Sequence, residues 1–278
     1  MDNLFDKVAL KCSKVTTTSY STSFSLGIKT LDKKYRAPIY AIYGFVRFAD
    51  EIVDTFHDHD KALLLKEFKE ETYKAIRNKI SLNPILHSFQ WAVNKYQIDL
   101  ELIESFLHSM EMDLTPYLYD RKAFETYILG SAEVVGLMCL RVFCEGNDEN
   151  YQKLKPQAMR LGAAYQKINF LRDMKADYFS LGRAYFPALK IENFDDQAKK
   201  EIEAEIDADF QEGLNGIRNL PFGSRFGVYV SFVYYYNLFQ KIRTLPAQRI
   251  LNERIRISDS KKYALILSSY LKHKLNLI

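Results

Sequence analysis

The stretch from Ala37 to Phe56 is apolar on nearly every face of a helix until it reaches Arg47, Asp50, Glu51 and Asp54. A helix that is apolar all round belongs inside a core. The fold must therefore wrap this segment with other elements and still supply partners for the charges it carries, because unpaired buried charge is costly.

The rest of the chain offers helices for that wrapping. Its 278 residues hold only 11 glycines and 7 prolines, and these fall mostly between long periodic stretches. They read as helix punctuation. Strand-like alternation is scarce, and no Asn-Gly or Asp-Gly hairpin signal occurs. The pattern predicts helices near 5–14, 19–30, 37–56, 60–79, 82–95, 98–113, 121–145, 148–178, 195–217, 223–243 and 259–273. Pro38 and Pro84 fit first-turn positions, where the missing N–H has no helical partner. With no repeat, linker or composition break, residues 1–278 read as one all-α domain.

Bulk properties exclude several classes. A net charge of +4 is too mild for a nucleic-acid binder, which needs a clustered basic surface. Basic residues do gather late in the chain (Arg243, Arg249, Arg254, Arg256, Lys261, Lys262, Lys272 and Lys274) and read as a solvated face. Attraction to anionic lipid or diphosphate is the sharper alternative. Cys12, Cys139 and Cys144 show no metal-ligand spacing, which fits a reduced, cytoplasmic protein. No run is expected to reach the ~20 apolar residues of a membrane-spanning helix, so any membrane contact is expected to be peripheral.

Chemistry concentrates in two stripes. Asp50 and Asp54 lie one helical turn apart on the same face, with Arg47 and Tyr43 extending the stripe backwards. Gln166, Asn169, Asp173 and Asp177 follow i, i+3, i+7 and i+11, a second stripe of hard oxygen donors, with Arg172 beside it. Paired carboxylates that are partly buried need a cation to offset repulsion and desolvation. Magnesium does this with one or two carboxylates plus water and phosphate oxygens. One Asp-x-x-x-Asp is usually a solvated helix face, but two on apolar helices suggest two walls around one anion.

At these residues the chain resembles the squalene/phytoene synthase family. The resemblance runs from Ser21 to about Lys262. It rests on Tyr-Gly-Phe-Val-Arg-Phe-Ala-Asp-Glu-Ile-Val-Asp at 43–54 and Gln-Lys-Ile-Asn-Phe-Leu-Arg-Asp-Met-Lys-Ala-Asp at 166–177. Gly182-Arg183-Ala-Tyr185-Phe-Pro187, Tyr127 with Gly-Ser-Ala-Glu-Val-Val-Gly-Leu-Met at 130–138, Met112-Asp113-Leu114 and Arg254-Ile-Arg-Ile-Ser258 extend it.

The resemblance implies an all-α isoprenoid synthase bundle with the aspartate motifs facing across a central cavity. It implies magnesium, with manganese as a substitute, and head-to-head joining of two prenyl diphosphates through a cyclopropylcarbinyl diphosphate. Phytoene from two C20 units is the first reading, without NADPH. Squalene or dehydrosqualene from two C15 units is the alternative, and a non-catalytic relative is a third. By the same resemblance Asp50, Asp54, Asn169, Asp173 and Asp177 hold metal. Ser23, Phe24, Arg47, Gln166, Asn169, Arg172 and Arg183 bind substrate. Tyr43, Arg47, Asp50, Asp54, Tyr127, Arg172 and Tyr185 serve catalysis, the tyrosines by facing a carbocation.

Two departures stand out. Glu133 replaces a glycine common in relatives, facing either the cavity or another helix, and Glu51 replaces a second aspartate. His57-Asp-His-Asp60 reads as a loop, not a zinc site. The acidic runs Glu67–Glu71 and Glu201–Asp209 read as solvated faces, and Met110, Met112 and Met138 as core.

Overall fold

The computed structural model describes residues 3–115, 119–181, 185–187 and 194–274, without the side chains of 176–181, 259, 260, 263 and 274. Arg183 and the Asp177 side chain therefore lie outside the described residues. Among the described residues the regular structure is all helical, with no strand.

The helices are α1 Leu4–Tyr20, α2 Thr22–Thr30, α3 Lys33–Asp54, α4 Lys61–Asn78, α5 Pro84–Tyr96, α6 Leu100–Met112 and α7 Arg121–Ile128. A π-helical turn, Leu129–Glu133, joins α7 to α8 Val134–Cys144. Then follow α9 Asp148–Leu181, α10 Asp196–Asn219, α11 Phe222–Arg243, α12 Ala247–Asn252 and α13 Asp259–Lys274. Side-chain caps mark several starts: Ser21 accepts from the Phe24 amide, Asp60 from Leu63, Asn83 from Ile85 and Asp120 from Ala123.

Four boundaries differ from the sequence reading. The first helix runs on to Tyr20, where Ser21 turns extended and caps α2 by accepting from the Phe24 amide. Helix α3 begins at Lys33, which puts Pro38 inside the helix and not in its first turn, whereas Pro84 does open α5. Helix α12 was not foreseen. The segment expected as one helix over 121–145 carries the π turn.

The expectation of no spanning-length apolar run also fails. Arg121–Cys144 is long and apolar enough to cross a membrane, but 56% of its apolar window is buried. It packs between α6 and α9 as a core helix.

Helix α3 is central, contacting α1, α2, α4, α5, α6 and α8. On its inner face Phe45 stacks on Phe89 at 3.8 Å, with Phe68 and Phe106 closing the cluster. Opposite, α9 pairs along its length with α10. That pairing corrects the reading of Glu201–Asp209 as a solvated face. Buried Lys167 meets Asp209 at 2.7 Å and Glu205 at 2.5 Å. Arg160 reaches Asp209 at 3.2 Å, and buried Lys199 pairs with Glu203.

Candidate active site

Between the α3 side and the α9–α10 side lies a cavity of 390 Å³. Its wall is mostly hydrocarbon, with Ile28, Leu31, Ile42, Val135, Leu154 and Leu161 among the lining. Close helix crossings shape it. A Cβ on Gly227 of α11 would stand 2.4 Å from Leu31 and 2.9 Å from the Gly27 carbonyl of α2, so only glycine permits this approach.

Polar groups gather at one end. Arg47 and Asp50 from α3 share the cavity wall with Gln166 and Asn169 from α9, so the two stripes do face one space. On α9, Leu154 and Asn169 mark the two extremes of the lining, 15 residues or about 22 Å apart at 1.5 Å per residue.

The amides at the polar end are held in place. Gln166 donates to the Ser131 hydroxyl at 3.3 Å, Asn169 donates to the Gln166 carbonyl oxygen at 3.3 Å, and the Tyr235 hydroxyl donates to Asn169 at 3.3 Å.

Arginines neutralise the carboxylates. Arg47 pairs with Asp50 and Glu51, and its guanidinium lies 4.4 Å from the Tyr20 ring. Burial opposes the Arg47 charge, but Asp50 and Glu51 outweigh it and raise its pKa. Its buried Nε finds no hydrogen-bond partner, leaving a donor for a ligand oxygen. Asp173 is held by two guanidiniums, Arg172 at 2.5 Å and Arg254 at 2.7 Å. Asp54 is half-buried one turn beyond Asp50 and is not part of the cavity wall.

Above the polar end sits a second pocket of 830 Å³, lined by Arg172, Lys241, Arg254, Arg256, Lys261 and Lys262 and by no acidic side chain. Ser23 and Tyr234 line it, and their neighbours Phe24 and Tyr235 line the cavity below, so the two spaces adjoin. Four of the late basic residues, Arg254, Arg256, Lys261 and Lys262, thus line one pocket while three of them stay exposed. Tyrosines 234, 235 and 236 point about 100° apart on α11. They serve this pocket, the cavity and the Phe210 core respectively.

The other predicted tyrosines divide. Tyr43 lines the cavity beside Phe24, at 5.7 Å between ring centres, and burial raises its pKa. Tyr127 also lines the cavity, yet its hydroxyl donates to buried Asp113 at 2.6 Å. Burial, followed by the Asp113 charge, holds that phenol well above its ordinary pKa. Tyr185 does not line the cavity. It stacks on Phe170 at 4.0 Å and donates to Asp113 at 3.3 Å.

Glu133 is turned away from the cavity towards Arg160, Lys167 and Asp209, and burial pushes its carboxyl up to about 7. At 57–60, Asp60 caps α4 and His57 lies 3.0 Å from Lys61. Met110 and Met138 are core, as read from the sequence, and Met110 also borders the cavity.

The oxygen donors of Asp50, Asp173, Gln166 and Asn169 are of the hard type that magnesium prefers. Among the described side chains, no three acidic, His or Cys residues converge into a metal cage. Such oxygen donors suit a cation that also takes phosphate and water oxygens.

Comparison with known proteins agrees. The chain is 27% identical to the 4,4'-diapophytoene synthase of Staphylococcus haemolyticus, over 66% of this chain and 64% of that one. It is 27% identical to the phytoene synthase of Arthrospira platensis, over 63% and 60%. Both alignments span less than two thirds of the relative. A dehydrosqualene synthase structure superposes with a TM-score of 0.80 at 20% identity, covering 96% of this chain and 98% of that one. A squalene synthase from Alicyclobacillus acidocaldarius gives 0.76 at 20% identity, covering 90% and 97%. The profile of the squalene/phytoene synthase family matches residues 17–261, and the chain belongs to that family.

Proposed function

We propose that this chain joins two prenyl diphosphates head to head in a magnesium-dependent reaction, forming phytoene from two C20 units without NADPH. The observation that carries the reading is one long hydrocarbon cavity whose charged end adjoins a pocket of six basic side chains. An amphiphile with a diphosphate head and an isoprenoid tail matches both halves.

The reaction follows from the residues. The basic pocket draws the diphosphate heads to the cavity mouth, where Arg47, Arg172 and Arg254 donate charge-assisted bonds to phosphate oxygens. Asp50, Asp54, Asn169 and Asp173, together with Asp177 by its place in the sequence stripe, would hold magnesium, which when bound neutralises the charge of the departing diphosphate. The C1–O bond breaks and its electron pair leaves with the diphosphate. The double bond of the second substrate attacks the allylic cation, and loss of a proton closes the cyclopropane. A second ionisation, rearrangement and proton loss give a linear triene core with no reductant. The hydrocarbon walls keep water from the cation.

The cavity's extent along α9 suits an extended chain of four isoprene units, which supports C20. The C15 alternative uses the same head-group site and fills less of that depth. Incubation of the purified protein with magnesium and either C15 or C20 diphosphate, with and without NADPH, tests the reading by product mass. Phytoene from the C20 substrate is the expected result. NADPH-dependent squalene overturns the chain length and the reductant statement, and no product with either substrate overturns the reaction.

A further inference from the structure

Helix α1 packs on α3 and α5 through Ala9, Ser13 and Thr17, and turns Leu4, Val8 and Val15 outwards. Those three fall at i, i+4 and i+11, one stripe of a helix, with exposed Lys7, Lys11 and Lys14 beside it.

The turn between α4 and α5 extends this face. Lys79 ends α4 in the left-handed region at φ 55°, and the chain then exposes Ile80 and Leu82 before Pro84 opens α5. Buried His87 ties the turn to α1. Its Nδ1 accepts from the Ser81 amide at 3.3 Å, so its Nε2 carries the proton and donates to Asp6 at 2.8 Å. The Phe5 ring packs against the same imidazole, 4.7 Å between ring centres.

Packing within the fold does not account for this corner. Leu4 is 78% and Leu82 89% exposed, although water is the costly place for both. The charge is one-sided as well. Across α1, the 79–83 turn and α5 the only carboxylate is Asp6. It is turned inward to His87, whose hydrogen bond holds it below the ordinary carboxylate range.

We propose that this corner docks on an anionic lipid bilayer. Leu4, Val8, Ile80 and Leu82 enter the headgroup boundary, while Lys7, Lys11, Lys14 and Lys79 meet lipid phosphates. An outward apolar stripe edged by lysines is what an interfacial helix presents to a membrane. Each lysine near the surface adds attraction to anionic lipid. A protein partner fits less well, because lysine is depleted at protein interfaces, and a second copy would bring like charges together. Docking does not depend on the proposed reaction.

The test is co-sedimentation of the full chain with vesicles of phosphatidylcholine alone, or of phosphatidylcholine and phosphatidylglycerol in equal parts. Binding is expected on the mixed vesicles and should weaken as salt is raised. Lys7→Gln, Lys11→Gln and Lys14→Gln together should weaken it about a hundredfold, at roughly fivefold per lysine. Lys122→Gln, Lys153→Gln and Lys200→Gln remove the same charge from exposed positions elsewhere and should leave binding nearly unchanged. Leu4→Ser with Leu82→Ser should weaken binding about tenfold or more at constant charge. Both leucines are exposed, so the melting temperature of that variant should match wild type.

No binding to the mixed vesicles overturns the proposal. Equal loss from the two lysine triples overturns it as well, and so does binding indifferent to Leu4 and Leu82. A dimer in sedimentation velocity that the leucine pair abolishes assigns the corner to a second copy, against the proposal.

Discussion

Arg254, on the extended segment after α12, forms an ion pair with Asp173 of α9 across 81 positions of sequence. Its Nε lies 2.7 Å from the carboxylate, and a terminal amino group donates to it at 3.3 Å. With Arg172 on the other side, this pairing neutralises Asp173 while no diphosphate is bound. On the proposed function, phosphate oxygens would draw the two arginines and free the carboxylate for metal. Arg254→Ala is expected to lower kcat/KM about tenfold or more through loss of charge-assisted bonds to phosphate. Because the Arg254 side chain is half exposed, the melting temperature should hardly move. Steady-state kinetics beside a thermal melt separates the two effects.

Asp50→Ala and Asp173→Ala remove one carboxylate from each wall. Each is expected to cut turnover by roughly a hundredfold or more, as when a charge-stabilising group is removed from an active site. The helical circular dichroism spectrum should persist. Near-wild-type product formation by either variant sinks the metal assignment.

Tyr127→Phe leaves Asp113 buried with one fewer donor. The expected loss is about 1–3 kcal/mol, the range for a hydrogen bond to a buried charged group. A denaturation midpoint that shifts at constant slope is the readout.

Glu133 carries a pH signature. Its carboxyl titrates near 7 in the fold, against 4.5 ordinarily, so the folded protein binds the extra proton between those values. Stability should therefore fall as pH rises from about 5 to 8. The part due to Glu133 is of order 1–2 kcal/mol after allowance for solvent screening. Glu133→Gln should flatten this stretch of the profile and leave the protein more stable than wild type at pH 8. Parallel slopes for both proteins would refute it.

Chain length is testable in the lower cavity. Ala158 lines it 11 residues, or about 16 Å, from Asn169 along α9. Ala158→Phe should block the last isoprene unit and shift preference from C20 towards C15 substrate. An unchanged ratio of kcat/KM for the two diphosphates would show that the tail does not reach that level.

The aspartate stripes were legible because helical periodicity is local: Asp50 and Asp54, or Gln166 and Asn169, share a face whatever else the chain does. The basic pocket was not. It assembles Arg172, Lys241, Arg254 and Lys262 from segments that meet only in the folded chain, so by sequence they look like ordinary surface charge. Asp209 was misjudged for the same reason, since Lys167 of α9 supplies the partner that its burial requires, whereas Glu203 pairs with Lys199 of its own helix. Tyr165 and Tyr235 of the cavity wall lay beyond reach among 19 tyrosines, because only tertiary packing stacks them. Helix α12 is six residues long, too short for a periodic signal.

The π turn at Leu129–Glu133 makes the register of the long apolar helix discontinuous. A wider turn accommodates an extra residue, so α7 and α8 meet the core with different angular phases. Excising one residue from this turn should restore plain α geometry and swing α7 by about 100° relative to α8. Tyr127 would then leave Asp113 while Leu137 and Met138 kept their places. The turn works as a splice, letting one helix serve both the packed floor of the bundle and the hydrogen-bonded tyrosine at its cavity wall.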